Sequence, residues 1–259
     1  MQNKIRDYWE SSTPMQFKEE NWHYWQKREF RYSLQNYMAE TFKFRDWADK
    51  FVLDFGCGAG IDSLEFARNG AVVTATDITE NACSLTMKHR DEYFEGTPGL
   101  VRLRVDWLED PTVLPYKNNS FDLVYSYGVL HHIPDIEVIL REIWRVLKPG
   151  GKIMAMVYNR DSLLFAYSIL DRAYSNWEIP NTVDSDDAIA SRYSERNLNC
   201  PYTHCYTKDE AHTLFSQYFG KIDIEVKFSV IDLPDRRKVT FMVQDDPGLG
   251  WHLVIKGEK

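Results

Sequence analysis

The sequence is short of the features that mark disulfide-rich, metal-binding and membrane-spanning proteins. Its 259 residues include four cysteines, which are Cys57, Cys83, Cys200 and Cys205. They form no CxxC pair and show no histidine spacing typical of zinc, so we predict reduced thiols and no metal site. No stretch approaches the roughly 20 apolar residues of a membrane span. Acidic residues and Pro14 stand where a signal peptide needs an apolar run, so we expect a cytoplasmic protein without a membrane partner.

Positive charge is also scarce. The formal net charge is -8, and no run of Lys and Arg forms a local basic stripe. A phosphate backbone would be repelled, so we expect no nucleic-acid partner. Hydrophobic residues make up 44% of the chain and charged residues 27%, which is typical of a folded globular protein. The length allows one large α/β domain with additions, or two small domains.

Apolar runs alternate with helix-compatible segments in the middle of the chain. The run Phe51–Phe55 leads into a glycine-rich loop, and Gly70 ends the helix that follows. Capping and turn residues predict the later boundaries, among them Asp135 as the N-cap of an amphipathic helix and Pro149-Gly150-Gly151 as its end. The predicted strands are residues 51–55, 71–76, 101–106, 121–127 and 152–158, and the predicted helices between them are residues 61–68, 79–94 and 136–147.

This alternation predicts an α/β fold with a doubly wound, mostly parallel sheet. Parallel strands need crossover helices, and ligands then bind at the carboxyl ends of the strands. Thr207 and Glu210 form a capping box that opens a further helix ending near Gly220. Residues 222–230 and 251–255 would add an antiparallel hairpin at the sheet edge. The expected total is seven strands.

The flanks of the sheet predict four regions. Residues 1–50 would be an N-terminal helical cap, with an apolar stripe at Leu34, Tyr37, Met38 and Phe42. Residues 51–159 would form the ligand-binding core, residues 160–206 a lid or substrate insertion, and residues 207–259 the helix and edge strands that complete the core. The polar stretch 181–199 would close over ligand, and its acidic residues predict a solvated loop, namely Asp184, Asp186 and Asp187.

Two features after the first two strands predict a nucleoside pocket. Gly56, Gly58 and Gly60 let the backbone approach a ligand closely beside a helix N-terminus. A dinucleotide fingerprint needs its third glycine at the position of Ile61, so NAD fits badly. Asp77 ends the second strand, where a carboxylate accepts hydrogen bonds from ribose hydroxyls. Asp106 ends the third strand and would accept from an adenine amino group.

At these positions the chain resembles the class I S-adenosylmethionine-dependent methyltransferases. The resemblance covers roughly residues 50–160. It implies a Rossmann-like methyltransferase fold and the cofactor S-adenosylmethionine (SAM), released as S-adenosylhomocysteine. The residues that carry it are VLDFGCGAG at 52–60, Asp77, Asp106, FDLVYSYGVLHHIPD at 121–135 and LKPGG at 147–151.

The resemblance also assigns cofactor contacts. Asp54, Cys57 and the three loop glycines Gly56, Gly58 and Gly60 would hold the methionine part of SAM. Asp77 and Ile78 would hold the ribose and Asp106 the adenine. Trp107 would cover the adenine face, although ordinary packing explains it equally well. The segment 125–130, which includes Tyr127, would run beneath the sulfonium.

The residues after the fourth strand discriminate between branches of this family. Enzymes that methylate amino groups of nucleic-acid bases or glutamine typically have an Asn-Pro-Pro-Tyr-like run there, whereas this chain has Ser126-Tyr127-Gly128-Val129. A small-molecule acceptor is therefore expected. A base near the acceptor would be His131, His132 or Tyr8. Adjacent histidines point differently, so at most one would face the substrate, and a structural role for either stays open.

Aromatic residues make up 14% of the chain, and many lie in the cap and the insertion. They would line an acceptor pocket or pack the core. The sequence does not distinguish an O, N, C or S acceptor. Two other functions remain open at this point: attack on another carbon of the sulfonium, and a SAM-binding protein that regulates a partner without catalysis. The mass of the product separates the enzymatic alternatives.

Overall fold

The computed structural model describes residues 2–12, 22–94, 102–169, 185–195, 199–228 and 248–259. The predicted positions Asp184, 101, 170–174 and 229–230 lie outside these residues. The described helices are α1 (Gln2–Ser12), α2 (Tyr24–Leu34), α3 (Met38–Phe42), α4 (Ile61–Arg68), α5 (Glu80–Tyr93), α6 (Ile136–Val146), α7 (Asp186–Tyr193) and α8 (Lys208–Phe215). Short 3₁₀ segments cover Phe44–Trp47 and Leu130–His132, and a π-helical segment covers Leu164–Ile169.

The seven strands form one sheet. They are β1 (Phe51–Phe55), β2 (Val72–Asp77), β3 (Leu103–Trp107), β4 (Phe121–Tyr127), β5 (Leu147–Tyr158), β6 (Gly220–Lys227) and β7 (His252–Glu258). Their order is β3-β2-β1-β4-β5-β7-β6. The first five strands in this order pair in parallel, and β7 pairs antiparallel with β5 and β6. The predicted doubly wound sheet with an antiparallel edge is confirmed.

The chain direction across the sheet reverses between β1 and β4. From β1 the chain moves outward through β2 to β3, and it then returns to pair β4 with the other side of β1. The loops after β1 and β4 therefore diverge, which leaves a crevice at the carboxyl ends of these strands. Ligands of open α/β sheets bind at such a reversal point.

Apolar layers cover both faces of the sheet. On one face α6 buries Ile139, Leu140 and Ile143 in a cluster that extends to Phe215 of α8. These α6 residues recur at helical spacing, which is why that face of the helix is buried. The other face packs α4 and the N-terminal cap.

The N-terminal cap is helical, but the predicted apolar stripe does not lie on a single helix. Gln35 has non-helical dihedrals of φ -117 and ψ 58 and ends α2. The stripe is therefore divided between two helices. Met38 and Phe42 of α3 are fully buried, whereas Leu34 is 45% exposed. The limits of the four predicted regions stay a prediction.

The start of β5 also differs from the prediction. We expected Pro149-Gly150-Gly151 to form a turn before a strand at residue 152, but β5 begins at Leu147. The register shifts between the Phe121 and Leu123 pairs of β4, so the glycines lie in an irregularity inside the strand. Backbone hydrogen bonds link Gly150 and Gly151 to Lys259, the residue after β7, and these bonds extend the strand through the glycines.

The insertion contains a helix where the sequence predicted a solvated loop. Asp186 and Asp187 occupy the first turn of α7, and the side chain of Ser185 accepts a hydrogen bond from the backbone N–H of Ala188 at 3.3 Å. Carboxylates are favourable at a helix N-terminus, so this acidic run promotes the helix. The capping box of Thr207 and Glu210 opens α8 as predicted. Asp135 stands at the N-cap of α6 but makes no capping hydrogen bond with its side chain.

Within the described residues, none of the helices combines the length and the apolar character that crossing a bilayer requires.

Alanine substitutions at two glycines test how tightly the loop between β1 and α4 is packed. Gly60 has φ +72, and an added Cβ would lie 2.5 Å from Thr86 Cγ2. Gly150 has a similar φ of +75, but a Cβ there would meet nothing within 4 Å. Both alanine variants incur left-handed backbone strain of about 1–2 kcal/mol. Gly60→Ala adds an overpacking cost of about 1–3 kcal/mol. Urea unfolding followed by circular dichroism should show the larger loss for Gly60→Ala, and equal losses would contradict the packing argument.

Candidate active site

A cleft of about 810 Å³ opens at the carboxyl ends of β1 and β4. Its size suits a nucleoside cofactor together with a small second molecule. One wall consists of the glycine loop and the end of β2, and the opposite wall follows β4. Of the predicted site residues, those that line it are Gly56, Gly58, Asp77, Ile78, Tyr127 and His132.

The glycine loop exposes backbone at one position. The N–H groups of Gly56 and Cys57 both donate to Thr76 O at 2.8 Å, which fixes the loop to β2. An added Cβ at Gly56 would lie 2.3 Å from Val129 Cγ2, whereas one at Gly58 would meet nothing within 4 Å. Gly58, with φ +54, therefore presents its backbone to open space in the cleft. A ligand can approach there as closely as the resemblance requires.

Asp77 is held rigidly at the end of β2. Its Oδ2 accepts the Gly58 N–H at 3.0 Å, and its Oδ1 accepts from both the N–H and the hydroxyl of Thr79. Burial raises the pKa of this carboxyl, and the three hydrogen bonds oppose that rise. A carboxylate has about four acceptor positions. Asp77 therefore keeps acceptor capacity toward the cleft that it lines, which fits a ribose.

On the side of the cleft where we expected adenine, the lining residues are not the predicted Asp106 and Trp107. Asp106 Oδ2 accepts from the Tyr116 hydroxyl at 2.9 Å and pairs with Arg104 at 2.7 Å, and Asp106 is not among the lining residues. Trp107 is 44% exposed, and its indole N–H donates to Ile78 O at 3.0 Å outside the cleft. The lining residues here are Leu108, Pro111 and Thr112.

Three further predicted residues, one at the end of β1 and two in the loop, do not line the cleft. Asp54 is 2% exposed and accepts a hydrogen bond from the Ser63 hydroxyl. Burial raises the pKa of Asp54 to about 7. Cys57 Sγ lies 3.5 Å from the Thr86 hydroxyl, and Gly60 provides the close approach of α4 to Thr86. These three residues therefore support the conformation of the loop and do not themselves contact the cleft.

Helix α1 forms a roof over the cleft. We predicted a helical cap in this region, but we did not predict which of its residues line the site. Its lining residues are Asn3, Lys4, Ile5, Arg6 and Trp9. The Glu10 carboxylate accepts the backbone N–H groups of Glu80 and Asn81 at 3.0 and 3.1 Å, which anchors α1 to the start of α5. Tyr8 lies beside Trp9, with ring centroids 5.1 Å apart, and does not line the cleft. The spacing of Ile5 and Trp9 on one helix face was the available signal.

His132 closes the far end of the cleft. Its ring lies 4.8 Å from that of Trp9, its Nδ1 lies 3.0 Å from Tyr202 O, and its Nε2 lies 3.5 Å from Glu195 Oε1. Burial disfavours the charged ring, but contacts with Cys200 and Glu195 outweigh it and raise the pKa of His132 to about 10. His132 is then an imidazolium at neutral pH, whereas we expected a neutral base.

His131 lies behind His132 and is fully buried. Its ring lies against those of His132 and Tyr158, with centroids 4.1 and 3.9 Å away and the ring planes tilted by 52° and 37°. Burial lowers the pKa of His131, and the neighbouring histidines lower it further, so the ring is neutral. Of the two adjacent histidines, the structure places His132 at the cleft and His131 outside it.

Comparisons with known proteins agree with this geometry. Residues 53–155 match the methyltransferase domain family. A ubiquinone biosynthesis O-methyltransferase of Xanthomonas oryzae pv. oryzae is 36% identical over 129 residues, which are 50% of this chain and 52% of that protein. The chain thus spans about half the length of this curated relative.

Solved structures show the same fold. A SAM-dependent methyltransferase of Mesorhizobium loti has a TM-score of 0.57 at 17% identity, covering 85% of this chain and 98% of that one. An N-methyltransferase of Haemonchus contortus, solved with S-adenosylhomocysteine, has a TM-score of 0.50 at 19% identity, covering 69% of this chain and 35% of that one.

The sheet order, the glycine loop and the carboxylate at the end of β2 define a nucleoside-cofactor fold of the methyltransferase type. Residues 53–155 match the methyltransferase domain family, and the fold is shared with solved SAM-dependent methyltransferases. The resemblance found in the sequence is confirmed, and with it the family's cofactor, SAM.

Substitution of Gly58 tests the cofactor wall. In Gly58→Val the side chain enters the cleft beside Asp77, so the dissociation constant for SAM should rise at least tenfold, which is about 1.4 kcal/mol. Gly150→Val is the matched control, because Gly150 has a similar positive φ and open surroundings but lines no part of this cleft. Isothermal titration should show unchanged affinity for the control. Equal affinities for both folded variants would contradict the assigned wall.

The buried carboxyl of Asp54 predicts a pH dependence of stability. Its pKa in the folded protein, about 7, lies above the ordinary value of 3.8. The stability that the protonated form contributes is therefore complete below about pH 4 and is lost as the pH rises through 7. Asp54→Asn keeps an acceptor for Ser63 and removes the titration. The free energy of unfolding of wild type should fall relative to this variant between pH 4 and pH 8, and parallel profiles would refute the assignment.

Proposed function

We propose that this chain transfers a methyl group from SAM to a hydroxyl oxygen of a small, largely apolar molecule. The curated relative is named as an O-methyltransferase, which supports an oxygen acceptor. The observation that carries the proposal is the position of His132. Its ring is part of the cleft wall, where a polar group at the end of an apolar surface can orient an acceptor hydroxyl.

The residues of the cleft fit SAM. The open backbone at Gly58 accommodates the methionine part, Asp77 accepts hydrogen bonds from the ribose, and Leu108 provides an apolar surface for the base. When bound, SAM supplies an electrophilic methyl carbon, so the reaction needs alignment of a nucleophile and exclusion of water. Helix α1 provides that exclusion, because its residues roof the same cleft.

The acceptor would lie between α1 and the turn that follows β4. This part of the cleft is lined by Trp9, His132, Ile133 and Pro134. Trp9, Ile133 and Pro134 give it apolar surface, and His132 and Asp135 add polar groups, which is the usual composition of a site that orients a small molecule. The cleft is roofed and the net charge is -8, so a bulky or polyanionic acceptor fits poorly.

The acceptor class is tested by incubating the protein with isotopically labelled SAM and panels of small phenols, alcohols, amines and thiols. We expect methylated products from the hydroxylated panel. A product carrying the aminocarboxypropyl group would overturn methyl transfer, and labelled products confined to amines or thiols would overturn the oxygen acceptor. Binding of SAM without turnover on any panel or on cell extract would favour a regulatory protein.

Removal of the Trp9 ring separates acceptor binding from cofactor binding. In Trp9→Ala the acceptor loses an aromatic wall, so its KM should rise about tenfold or more, while the dissociation constant for SAM changes less than threefold. Trp144→Ala is the control, because Trp144 is 44% exposed on α6 and lines no part of the cleft. Steady-state kinetics with the best hydroxylated substrate measures both variants. An unchanged acceptor KM in Trp9→Ala would place the acceptor elsewhere.

A further inference from the structure

Three side chains that can ligate a metal ion meet behind the cleft wall, where His132 joins His131 and Glu195. His131 and His132 come from the 3₁₀ turn after β4, and Glu195 comes from the insertion, just after α7. One ring nitrogen of each histidine and one carboxylate oxygen of Glu195 lie within 4.8 Å of one another. All three residues are buried or partly buried, so the cluster is not an ordinary group of solvated surface charges.

His131 is a buried histidine whose ring nitrogens make no hydrogen bond within the described residues. It is fully buried, and neither Nδ1 nor Nε2 has a hydrogen-bond partner within the described part of the protein. Buried polar atoms are nearly always paired, so an exception calls for a physical reason. A neutral imidazole nitrogen is a common metal ligand, and an ion at the centre of the cluster would satisfy the lone pair of this ring.

The other two members have the supporting contacts that metal ligands usually have. His132 Nδ1 lies 3.0 Å from Tyr202 O and donates its proton there, so the lone pair of the neutral ring is on Nε2, toward Glu195. Metal-bound histidines characteristically donate their second N–H to such a carbonyl. The Tyr158 hydroxyl donates to Glu195 Oε1 at 2.7 Å and orients the carboxylate.

We propose that His131, His132 and Glu195 bind one divalent first-row transition ion. Bonds of about 2.1 Å in a tetrahedral site place ligand atoms about 3.4 Å apart. His132 Nε2 and Glu195 Oε1 are already 3.5 Å apart, and the wider separation within the cluster closes when the ion binds. Two imidazoles and one carboxylate favour zinc, iron, cobalt or manganese, whereas magnesium and calcium prefer ligand sets made only of oxygen. His132 loses its proton when it coordinates the ion.

Of the three ligands, His132 is the one that lines the cleft, so the ion would lie behind the wall that its ring forms and would hold that ring in place. Any effect of the ion on catalysis rests on the proposed oxygen acceptor. Binding of the ion does not rest on it, so the two are tested separately.

The test uses the full-length, tag-free protein after treatment with chelator and gel filtration. Addition of one equivalent of Co²⁺ should give visible d–d absorption, and Zn²⁺ should abolish it by competition. Elemental analysis after a second gel filtration should find about one zinc per chain. Mg²⁺ at the same concentration should neither displace Co²⁺ nor be retained. A thiolate-to-cobalt charge-transfer band would place the ion on cysteines and would overturn the proposal.

Variants assign the ligands. Glu195→Gln keeps the size and the hydrogen bond from Tyr158 but removes the charge, so the affinity for Zn²⁺ should fall at least tenfold. His131→Asn removes a second ligand. His204→Gln is the matched control, because His204 is a neighbouring histidine that pairs with Asp187 at 2.6 Å outside the cluster, and its affinity should match wild type. Equal affinity in wild type and Glu195→Gln, or no binding at 1 mM Zn²⁺, would overturn the site. Ion binding without methyl transfer would contradict the proposed function alone.

Discussion

The hydrogen bond from the Gly58 N–H to Asp77 Oδ2, 3.0 Å long, joins the loop after β1 to the end of β2. Everything at the carboxyl edge depends on it. It holds the glycine backbone open to the cleft, and it fixes the Asp77 carboxylate that lines the cleft and that we propose binds the ribose. Thr79 completes the arrangement, because its N–H and hydroxyl both bind Asp77 Oδ1 and its side chain caps α5. The same residue therefore starts a helix and positions the cofactor wall.

A second buried network joins the N-terminal cap to this wall. Asp62, in the first turn of α4, accepts from Arg31 Nε at 2.9 Å, from the Tyr32 hydroxyl at 2.8 Å and from the Tyr125 hydroxyl at 2.9 Å. Arg31 Cζ in turn lies 4.8 Å from the centroid of the Tyr127 ring, at the cleft. A buried charge cluster of this kind tolerates loss of one partner poorly, because the remaining charge is left unpaired. The cap is thus part of the site and not an independent addition.

Local patterns predicted the sheet because each strand and helix carries its own signal. The run Phe51–Phe55, the glycine loop and the spacing of apolar residues in α6 all act within a few residues, and the structure agrees with them. Predictions failed where partners distant in sequence decide the outcome. Lys259 extends β5 through Gly150 and Gly151, which lie more than a hundred residues earlier in the chain.

The same distinction explains what the sequence missed at the site. The roof residues of α1 reach the cleft through contacts with distant segments, among them the anchor that Glu10 makes on α5. No metal site was expected, because the four cysteines form no CxxC pair and show no histidine spacing typical of zinc. Glu195 reaches His131 and His132 from the insertion. Such convergence depends on the path of the folded chain, which local spacing does not encode.

The central claim is that the cleft between the glycine loop and β4 binds the nucleoside cofactor. A crystal structure of the protein with S-adenosylhomocysteine tests it most directly. The account predicts that both ribose hydroxyls lie within hydrogen-bond distance of the Asp77 carboxylate and that the homocysteine part passes over Gly58. A nucleoside bound elsewhere, or bound in this cleft without contact to Asp77, would contradict it.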